Sequence, residues 1–138
     1  MPQDRAEEWQ AFLKVLIVDD SAIIRVRLAE LLTEVEGIEI VAQADNAYEA
    51  ADLVRELEPD VAIVDLRMPE RSGMDLIEDV KKNPQPPKII MLTNFPTPEN
   101  REKCLSYGAD YFFDKSSEIE EVMAVLKNLL QESGSQHP

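Results

Sequence analysis

Short apolar runs alternate along the chain with longer amphipathic segments. The first run covers residues 15–18 (VLIV), and four more follow at 38–42, 61–64, 88–92 and 111–113. After each run, apolar residues recur at three- and four-residue spacing, which is the period of an amphipathic helix. The runs are continuous rather than alternating, so the strands are predicted to be buried on both faces. Five βα units in series predict an α/β domain with a parallel sheet between two layers of helices.

Capping residues set the predicted ends of the helices. Residues that favour an N-cap precede four of them: Ser21, Asn46, Thr97 (with Pro98 in the first turn), and Ser116 or Ser117. Glycines are placed to end the first and the fourth helix, at Gly37 and Gly108. The third helix follows a loop and is predicted over residues 74–82. These ends position each strand–helix connection.

Composition and charge exclude several classes of function. The 28 acidic residues outnumber the 14 basic ones and give a net charge of −14, which argues against binding to nucleic acid or to an anionic membrane. The only cysteine, Cys104, permits no internal disulfide or zinc cluster and is expected to pack in a helix. The only histidine, His137, is the next-to-last residue, so a histidine-based triad is not expected. With no membrane-length apolar run and no secretory signal, a cytoplasmic single domain is predicted.

The chain divides into three predicted parts. An N-terminal extension covers residues 1–13, the domain covers 14–130, and a flexible tail covers 131–138. Trp9, Phe12 and Leu13 lie at helical spacing in the extension. This spacing favours a short segment that packs on the domain over a helix that binds a partner.

Polar side chains close four of the five apolar runs. Asp19 and Asp20 follow the first, Asp65 the third, Thr93 the fourth, and Lys115 stands at the end of the fifth. In an open parallel sheet, ligands bind at the carboxyl ends of the strands. Three carboxylates that meet there need a cation, and an all-oxygen site suits Mg²⁺. A carboxylate nucleophile beside Mg²⁺, a lysine and a hydroxyl fits phosphoryl transfer onto aspartate.

Four motifs occur in order along the chain: VLIVDD, VAIVDLRMP followed by Gly73, IIMLT, and GADYFFDKS. Together they resemble the receiver domain of bacterial two-component response regulators, the CheY-like family. The resemblance extends from about Lys14 to Leu130. It implies a flavodoxin/CheY-like three-layer fold, (βα)5, with a doubly wound five-stranded parallel sheet in the order 2-1-3-4-5.

The resemblance also implies roles at the site. Asp65 would accept a phosphoryl group from a phosphohistidine on a histidine kinase or a phosphotransfer protein. Asp20 and Asp65 would bind Mg²⁺ directly, and Asp19 would contribute through water or more weakly. The backbone carbonyl of Arg67 would be a further metal ligand.

The remaining motif residues imply a switch. Thr93 and Lys115 take the family's phosphate-sensing and charge-neutralising places, and Phe112 takes the place of the switch aromatic. Phosphorylation would change a protein-binding surface made by the helix from Pro98, the fifth strand and the helix from Glu118, and so alter binding to an unidentified downstream protein.

Three positions depart from the family pattern. Asn94 stands where a very small residue is usual, so access to Asp65 and the rate of phosphoryl loss are expected to differ. Ser116 replaces the proline that usually follows the lysine, so no cis peptide bond is expected there. Phe112 stands where tyrosine is usual, so its rotation would depend on packing alone.

Other functions stay open on the sequence alone. A degenerate receiver would act as an interaction module without phosphate. An aspartate-nucleophile phosphatase is disfavoured because Arg67 stands where its acid would be, and a flavodoxin-like carrier because the first loop lacks glycine. The leading prediction is a phosphoacceptor signalling domain rather than an enzyme. It is expected to be free-standing and a monomer or weak dimer.

Overall fold

Residues 12–134 are described by the computed structural model of the chain. Within that range five strands and five helices alternate. The strands are β1 (Leu13–Val18), β2 (Ile38–Ala44), β3 (Val61–Val64), β4 (Lys88–Thr93) and β5 (Tyr111–Asp114). The helices are α1 (Ala22–Thr33), α2 (Ala47–Leu57), α3 (Gly73–Val80), α4 (Pro98–Tyr107) and α5 (Ile119–Gly134). The predicted βα alternation is confirmed.

The five strands form one parallel sheet in the order β2-β1-β3-β4-β5. This is the predicted doubly wound order, with β1 paired to both β2 and β3. The neighbours β1 and β3 run in register from Val15 opposite Val61 to Val18 opposite Val64. Because β1 and β3 end side by side, the residues that follow them lie at the same edge of the sheet.

Alternate residues of each strand point to opposite faces, so the core has two layers. Leu16 and Val18 of β1 belong to a cluster with α2, α3 and α4. Val15 and Ile17 belong to the opposite cluster with α1 and α5. Cys104 is buried in the first cluster, as expected for a helix-packing residue, and burial raises the pKa of its thiol to about 11.

Several predicted helix ends agree with the structure. Ser21, Asn46 and Thr97 are the N-caps of α1, α2 and α4, and each side chain accepts a hydrogen bond from a backbone N–H of the first turn. Gly108 caps the C-terminus of α4 with a φ of 120°. These residues fix where α1 and α4 begin relative to the strand ends.

Two predicted helix caps were wrong, and α3 covers Gly73–Val80 rather than residues 74–82. Helix α1 ends at Thr33 with Glu34 as its C-cap, and Gly37 lies in the turn that leads into β2. Helix α5 begins at Ile119, so neither Ser116 nor Ser117 is its N-cap. The backbone N–H and the hydroxyl of Ser116 both donate to the Asp114 carboxylate instead, because that acceptor lies only two residues away.

The ends of the chain are described only in part. Leu13 is the first residue of β1 and is buried, whereas Phe12 is 53% exposed. The predicted packing of Trp9 lies outside the described residues. Helix α5 continues to Gly134, and residues 135–138 of the predicted tail also lie outside them. Within the described part of the chain, no helix is both long enough and apolar enough to cross a membrane.

Candidate functional site

Backbone hydrogen bonds hold three of the predicted site residues just beyond the strand ends. The N–H of Asp19 donates to Ala44 O at 3.0 Å, and that of Asp65 donates to Val18 O at 2.9 Å. The N–H of Lys115 donates to Thr93 O at 2.7 Å. The hydrogen-bond pattern of the sheet therefore continues beyond the strand ends and fixes the backbone position of each of these three residues.

Lys115 joins two of the predicted carboxylates. Its Nζ lies 2.8 Å from Asp19 Oδ2 and 3.1 Å from Asp65 Oδ1. All three residues are buried, with 7% of Lys115 exposed. The other oxygen of Asp19 accepts from the N–H of Ser21 at 2.8 Å. The lysine thus places one cation among the acidic groups of the sheet edge.

Asp19, Asp20 and Asp65 form an acidic cluster with the chemistry of a hard-metal site. One carboxylate oxygen from each lies within 4.8 Å of the others. Asp20 is exposed, whereas Asp19 and Asp65 are buried. An all-carboxylate donor set that is open to water on one side suits Mg²⁺, which binds few carboxylates and keeps several waters. The residues present therefore fit the ion that the family resemblance implies.

The environment of the cluster shifts two pKa values. Burial, reinforced by the charge of Asp19, raises the pKa of Asp65 from 3.8 to about 6, although Lys115 opposes the rise. Burial acts to lower the pKa of Lys115, but the hydrogen bond to Asp19 and the charge of Asp65 raise it overall. The charged form of Asp65 is therefore disfavoured when no metal ion is bound.

Thr93 and Phe112 both lie in the interior. Thr93 is fully buried at the end of β4, and its Oγ1 accepts a hydrogen bond from the N–H of Phe95 at 2.9 Å. Phe112 is 5% exposed and packs in the cluster of α2, α3 and α4. The guanidinium of Arg101 on α4 lies 5.9 Å from its ring centroid. The Lys115–Ser116 peptide bond is trans, as expected.

A cleft of about 420 Å³ opens above the acidic cluster. The residues that line it are Asp19, Asp20, Ser21, Ile24, Asp65, Arg67, Asn94, Phe95 and Lys115. Asn94, one of the three positions that depart from the family pattern, is exposed on the wall of the cleft. The side chains of Arg67 and Phe95 were not predicted to take part, because nothing in their sequence spacing indicates that their loops meet.

Gly73 belongs to one of the four motifs, but its role in positioning the acceptor was not predicted. It opens α3, and its N–H donates to Leu66 O at 2.8 Å. A Cβ at this position would lie 2.3 Å from the carbonyl oxygen of Asp65 and 3.1 Å from Met91 Cε. The sequence offered one signal for this role, because the glycine stands at the start of a predicted helix rather than at its end.

We expect Gly73→Ala to destabilise the protein by about 2 kcal/mol, because the start of α3 must move away from the Asp65 backbone. The better helix propensity of alanine offsets only part of this loss. The same displacement should weaken Mg²⁺ binding. Urea denaturation and calorimetric Mg²⁺ titration measure the two effects.

Ser72→Ala is the matched control, since it removes the N-cap of α3 without adding an atom near Asp65. It should cost about 1 kcal/mol and leave Mg²⁺ affinity unchanged. Equal Mg²⁺ affinity in wild type and Gly73→Ala would show that the close approach of α3 does not position the acceptor.

Comparison with known proteins agrees with this geometry. Residues 15–127 match the family model for the response regulator receiver domain. A putative transcriptional regulator of Pseudomonas aeruginosa is 36% identical over 117 residues, covering 85% of this chain and 56% of that protein. The chemotaxis protein CheY of Halobacterium salinarum is 33% identical over 117 residues, covering 85% of this chain and 96% of that protein. The response regulator domain of Thermotoga maritima CheB has a TM-score of 0.77 at 26% identity, covering 92% and 99% of the two chains.

The fold and the site define a doubly wound α/β protein with an acidic cluster and a lysine at the carboxyl edge of its sheet. The chain belongs to the response regulator receiver domain family of two-component signalling. It spans 56% of the Pseudomonas regulator and 60% of a related Bacillus subtilis regulator, but nearly all of the Halobacterium protein.

Proposed function

We propose that this chain is a phosphoaccepting receiver and that Asp65 is its acceptor. The observation that carries the proposal is the placement of Lys115 Nζ 3.1 Å from Asp65 Oδ1, beside a cluster of three carboxylates. Asp65 lines an open cleft, so a phosphoryl donor can reach it. A carboxylate that lines a cleft, is paired with a cation and lies next to a metal-type site has what aspartyl phosphorylation needs.

The proposed transfer starts from a phosphohistidine on a histidine kinase or a phosphotransfer protein. A carboxylate oxygen of Asp65 bonds to phosphorus while the phosphorus–nitrogen bond breaks. The bonding electrons stay on the imidazole nitrogen, which takes up a proton. Lys115 then lies next to the new phosphoryl group and neutralises part of its charge.

Asp20, Asp65 and the backbone carbonyl of Arg67 would hold Mg²⁺, with Asp19 contributing through water. When bound, the ion offsets the charge that the carboxylates and the phosphoryl oxygens bring together. Asp19 also keeps Lys115 in place through the 2.8 Å contact to its Nζ. We therefore assign Asp19 a positioning role in addition to its place near the metal.

A hydrogen-bonded path connects Thr93 to helix α4 and supports a switch. The Thr93 hydroxyl accepts from the N–H of Phe95, and Phe95 O accepts from Asn100 Nδ2 in the first turn of α4. The Thr93 proton stays available for a phosphoryl oxygen. A movement of Thr93 towards that oxygen would shift the start of α4 through these hydrogen bonds. Arg101 on α4 in turn contacts both the ring and the carbonyl of Phe112. The α4–β5–α5 surface is the proposed output.

The test is the intact mass of the protein after incubation with acetyl phosphate and Mg²⁺. We expect wild type to gain the mass of one phosphoryl group in an alkali-labile, Mg²⁺-dependent form. Asp65→Asn should gain none, because the amide cannot form an acyl phosphate. Phosphoimidazole serves as a second donor, since its phosphorus–nitrogen bond is that of phosphohistidine.

Asp45→Asn is the matched control, because Asp45 also follows a strand but lies outside the cleft. It should be phosphorylated like wild type. A folded, Mg²⁺-binding wild type that gains no mass from either donor would favour the phosphate-independent interaction module. An equal gain in Asp65→Asn would place the acceptor at another residue.

A further inference from the structure

The start of β1 lies beside the end of helix α2. Lys14, the second residue of β1, donates from its Nζ to the carbonyl oxygen of Leu57, the last residue of α2, at 2.7 Å. The backbone N–H of Lys14 donates to Asp60 Oδ2 at 2.8 Å. Phe12, directly before β1, is 53% exposed. Residues 1–11 therefore join the domain at the amino edge of the sheet, close to the C-terminus of α2.

A groove of about 590 Å³ lies next to this point, between the end of α2 and the loop that joins α3 to β4. Glu58, on its wall, directly follows the residue that accepts from Lys14. Asp60 also accepts, through its carbonyl oxygen, from the N–H of Lys88 at the end of the α3–β4 loop, at 2.9 Å. The residues that line the groove are Val54, Arg55, Glu58, Asn83, Pro84 and Gln85. The groove and the start of β1 are thus held by the same short connection, residues 57–60.

The groove offers the kind of surface on which an aromatic ring packs. Pro84 is exposed, and its ring fixes the backbone φ, so this wall is formed in advance. Arg55 forms an ion pair with Asp52 of the preceding turn, and a guanidinium held in this way stacks on aromatic faces. The buried Val54 adds apolar atoms. An indole ring would therefore find both apolar contact and a cation in this groove.

The loop beside the groove is basic in an otherwise acidic chain. Residues 81–88 (KKNPQPPK) contain three lysines and no acidic residue, although the chain as a whole carries a net charge of −14. Lys81 is paired with Asp110. Lys82 and Lys88 are exposed, and in the described part of the chain no carboxylate lies within ion-pair distance of either. This loop favours an acidic occupant for the groove.

Residues 1–11 have the complementary composition. Their acidic residues outnumber their basic ones by three to one: Asp4, Glu7 and Glu8 against Arg5. They also include Trp9, the only tryptophan of the chain. Trp9 precedes Phe12 by three residues, and three residues of extended chain span about 10 Å. The segment therefore brings an aromatic ring and negative charge to the edge of the sheet where the groove lies.

We propose that residues 1–11 fold back over this groove, with the indole of Trp9 between Pro84 and Arg55. The two acidic residues before Trp9 then face the lysines of the α3–β4 loop. The docked segment ties the start of β1 to that loop, at the edge of the sheet opposite the Asp65 cleft. The proposal goes beyond the proposed function and does not depend on phosphorylation.

The fluorescence of the full chain tests the proposal, because Trp9 is its only tryptophan. The emission of folded wild type should lie at shorter wavelength than in urea, and acrylamide should quench it about threefold less strongly. Lys82→Glu/Lys88→Glu should raise the acrylamide quenching constant about twofold, because attraction to the acidic segment becomes repulsion. High ionic strength should also raise this constant in wild type.

Lys103→Glu/Lys127→Glu is the matched control, since it changes the net charge equally at exposed lysines of α4 and α5. Its quenching constant should equal that of wild type. A charge exchange gives the converse test. Addition of Glu7→Lys/Glu8→Lys to the Lys82→Glu/Lys88→Glu variant should restore the low quenching constant of wild type.

A disulfide measures where the segment lies. Gln10→Cys combined with Gln85→Cys should form a disulfide within one chain under a mild oxidant, as seen by intact mass and a non-reducing gel. The native Cys104 is buried and does not compete. Gln10→Cys combined with Gln131→Cys should form little, because Gln131 lies on α5, which packs on the other face of the sheet.

Four results would overturn the proposal. Acrylamide could quench Trp9 equally in the folded and unfolded chain, or quenching could be insensitive to reversal of the two lysines. The disulfide could form as readily with Gln131→Cys as with Gln85→Cys. A disulfide between two chains, with quenching that depends on protein concentration, would assign the groove to the segment of a second copy. Failure of wild type to take a phosphoryl group would contradict the proposed function alone, since none of these measurements uses phosphate.

Discussion

Lys115→Met is expected to lower the free energy of unfolding of the metal-free protein by about 3 kcal/mol near pH 8. The lysine Nζ is the cation between Asp19 and Asp65, and all three side chains are buried. Methionine keeps most of the volume of the lysine stem but leaves two buried carboxylates and the nearby Asp20 without a positive charge. A buried charge that loses its partner is far more costly than an exposed one.

The pH dependence follows from the direction of the pKa shifts. The raised pKa of Lys115 keeps its stabilising charge throughout the range below its ordinary value of 10.5. As pH falls through about 6, Asp65 takes up a proton and one partner of the lysine becomes neutral. The difference in free energy of unfolding between wild type and Lys115→Met should therefore become smaller as pH falls from about 8 to about 5. Addition of Mg²⁺ near pH 8 should also make this difference smaller.

Urea denaturation at the two pH values, with chelator and with Mg²⁺, measures this effect. Lys127→Met removes an exposed lysine of α5 and should change stability by less than about 0.5 kcal/mol. An equal loss for Lys115→Met at both pH values, unaffected by Mg²⁺, would indicate that the lysine stem packs well but that its charge contributes little.

Asp65→Asn is expected to have the opposite effect to Lys115→Met and to raise the free energy of unfolding of the metal-free protein by about 3 kcal/mol near pH 8. Burial raises the pKa of Asp65 from 3.8 to about 6, so the folded protein holds a proton there more tightly than the unfolded chain does. Stability of the wild type therefore falls as pH rises from about 4 to about 6 and stays lowered above that range. The asparagine side chain carries no charge and avoids this loss.

The measurement is urea denaturation of wild type and Asp65→Asn at about pH 4 and about pH 8, with chelator present. The gain should be small at the lower pH and full at the higher one. Asp45→Asn, at an exposed carboxylate, should show little change at either pH. In the Lys115→Met background the gain should be larger, since Asp65 then has no cation to offset its charge. A gain that does not depend on pH would refute burial of charge as the cause.

The sequence was sufficient to predict which residues meet at the sheet edge. Asp19, Asp65, Thr93 and Lys115 each follow or end an apolar run, and parallel strands bring their carboxyl ends to one side. This prediction depends only on the strand period and on the connections between strands. Strand period and strand connection do not depend on the details of side-chain packing, so the α/β class and the clustering could both be anticipated, whereas the strand order was an implication of the family resemblance.

The contacts between loops could not be predicted in the same way. The distance between Arg67 and Phe95 depends on the path of two loops and on two rotamers, and residues 28 positions apart carry no periodic signal for it. The requirement for Gly73 arises from the close approach of α3 to the Asp65 carbonyl, a packing distance rather than a sequence pattern. The start of α5 was mispredicted because Asp114 competes for the Ser116 donors.

The two outer strands of the sheet have a consequence for self-association. Within residues 12–134, β2 and β5 are the edges, and each has a row of backbone groups that could pair with another copy of the chain. Glu39 lies within β2 and Asp114 ends β5, so an added strand would meet negative charge on a chain that carries −14 overall. Acidity at the edges thus opposes polymerisation through the sheet, and concentrated protein should resist fibre formation most strongly at low ionic strength.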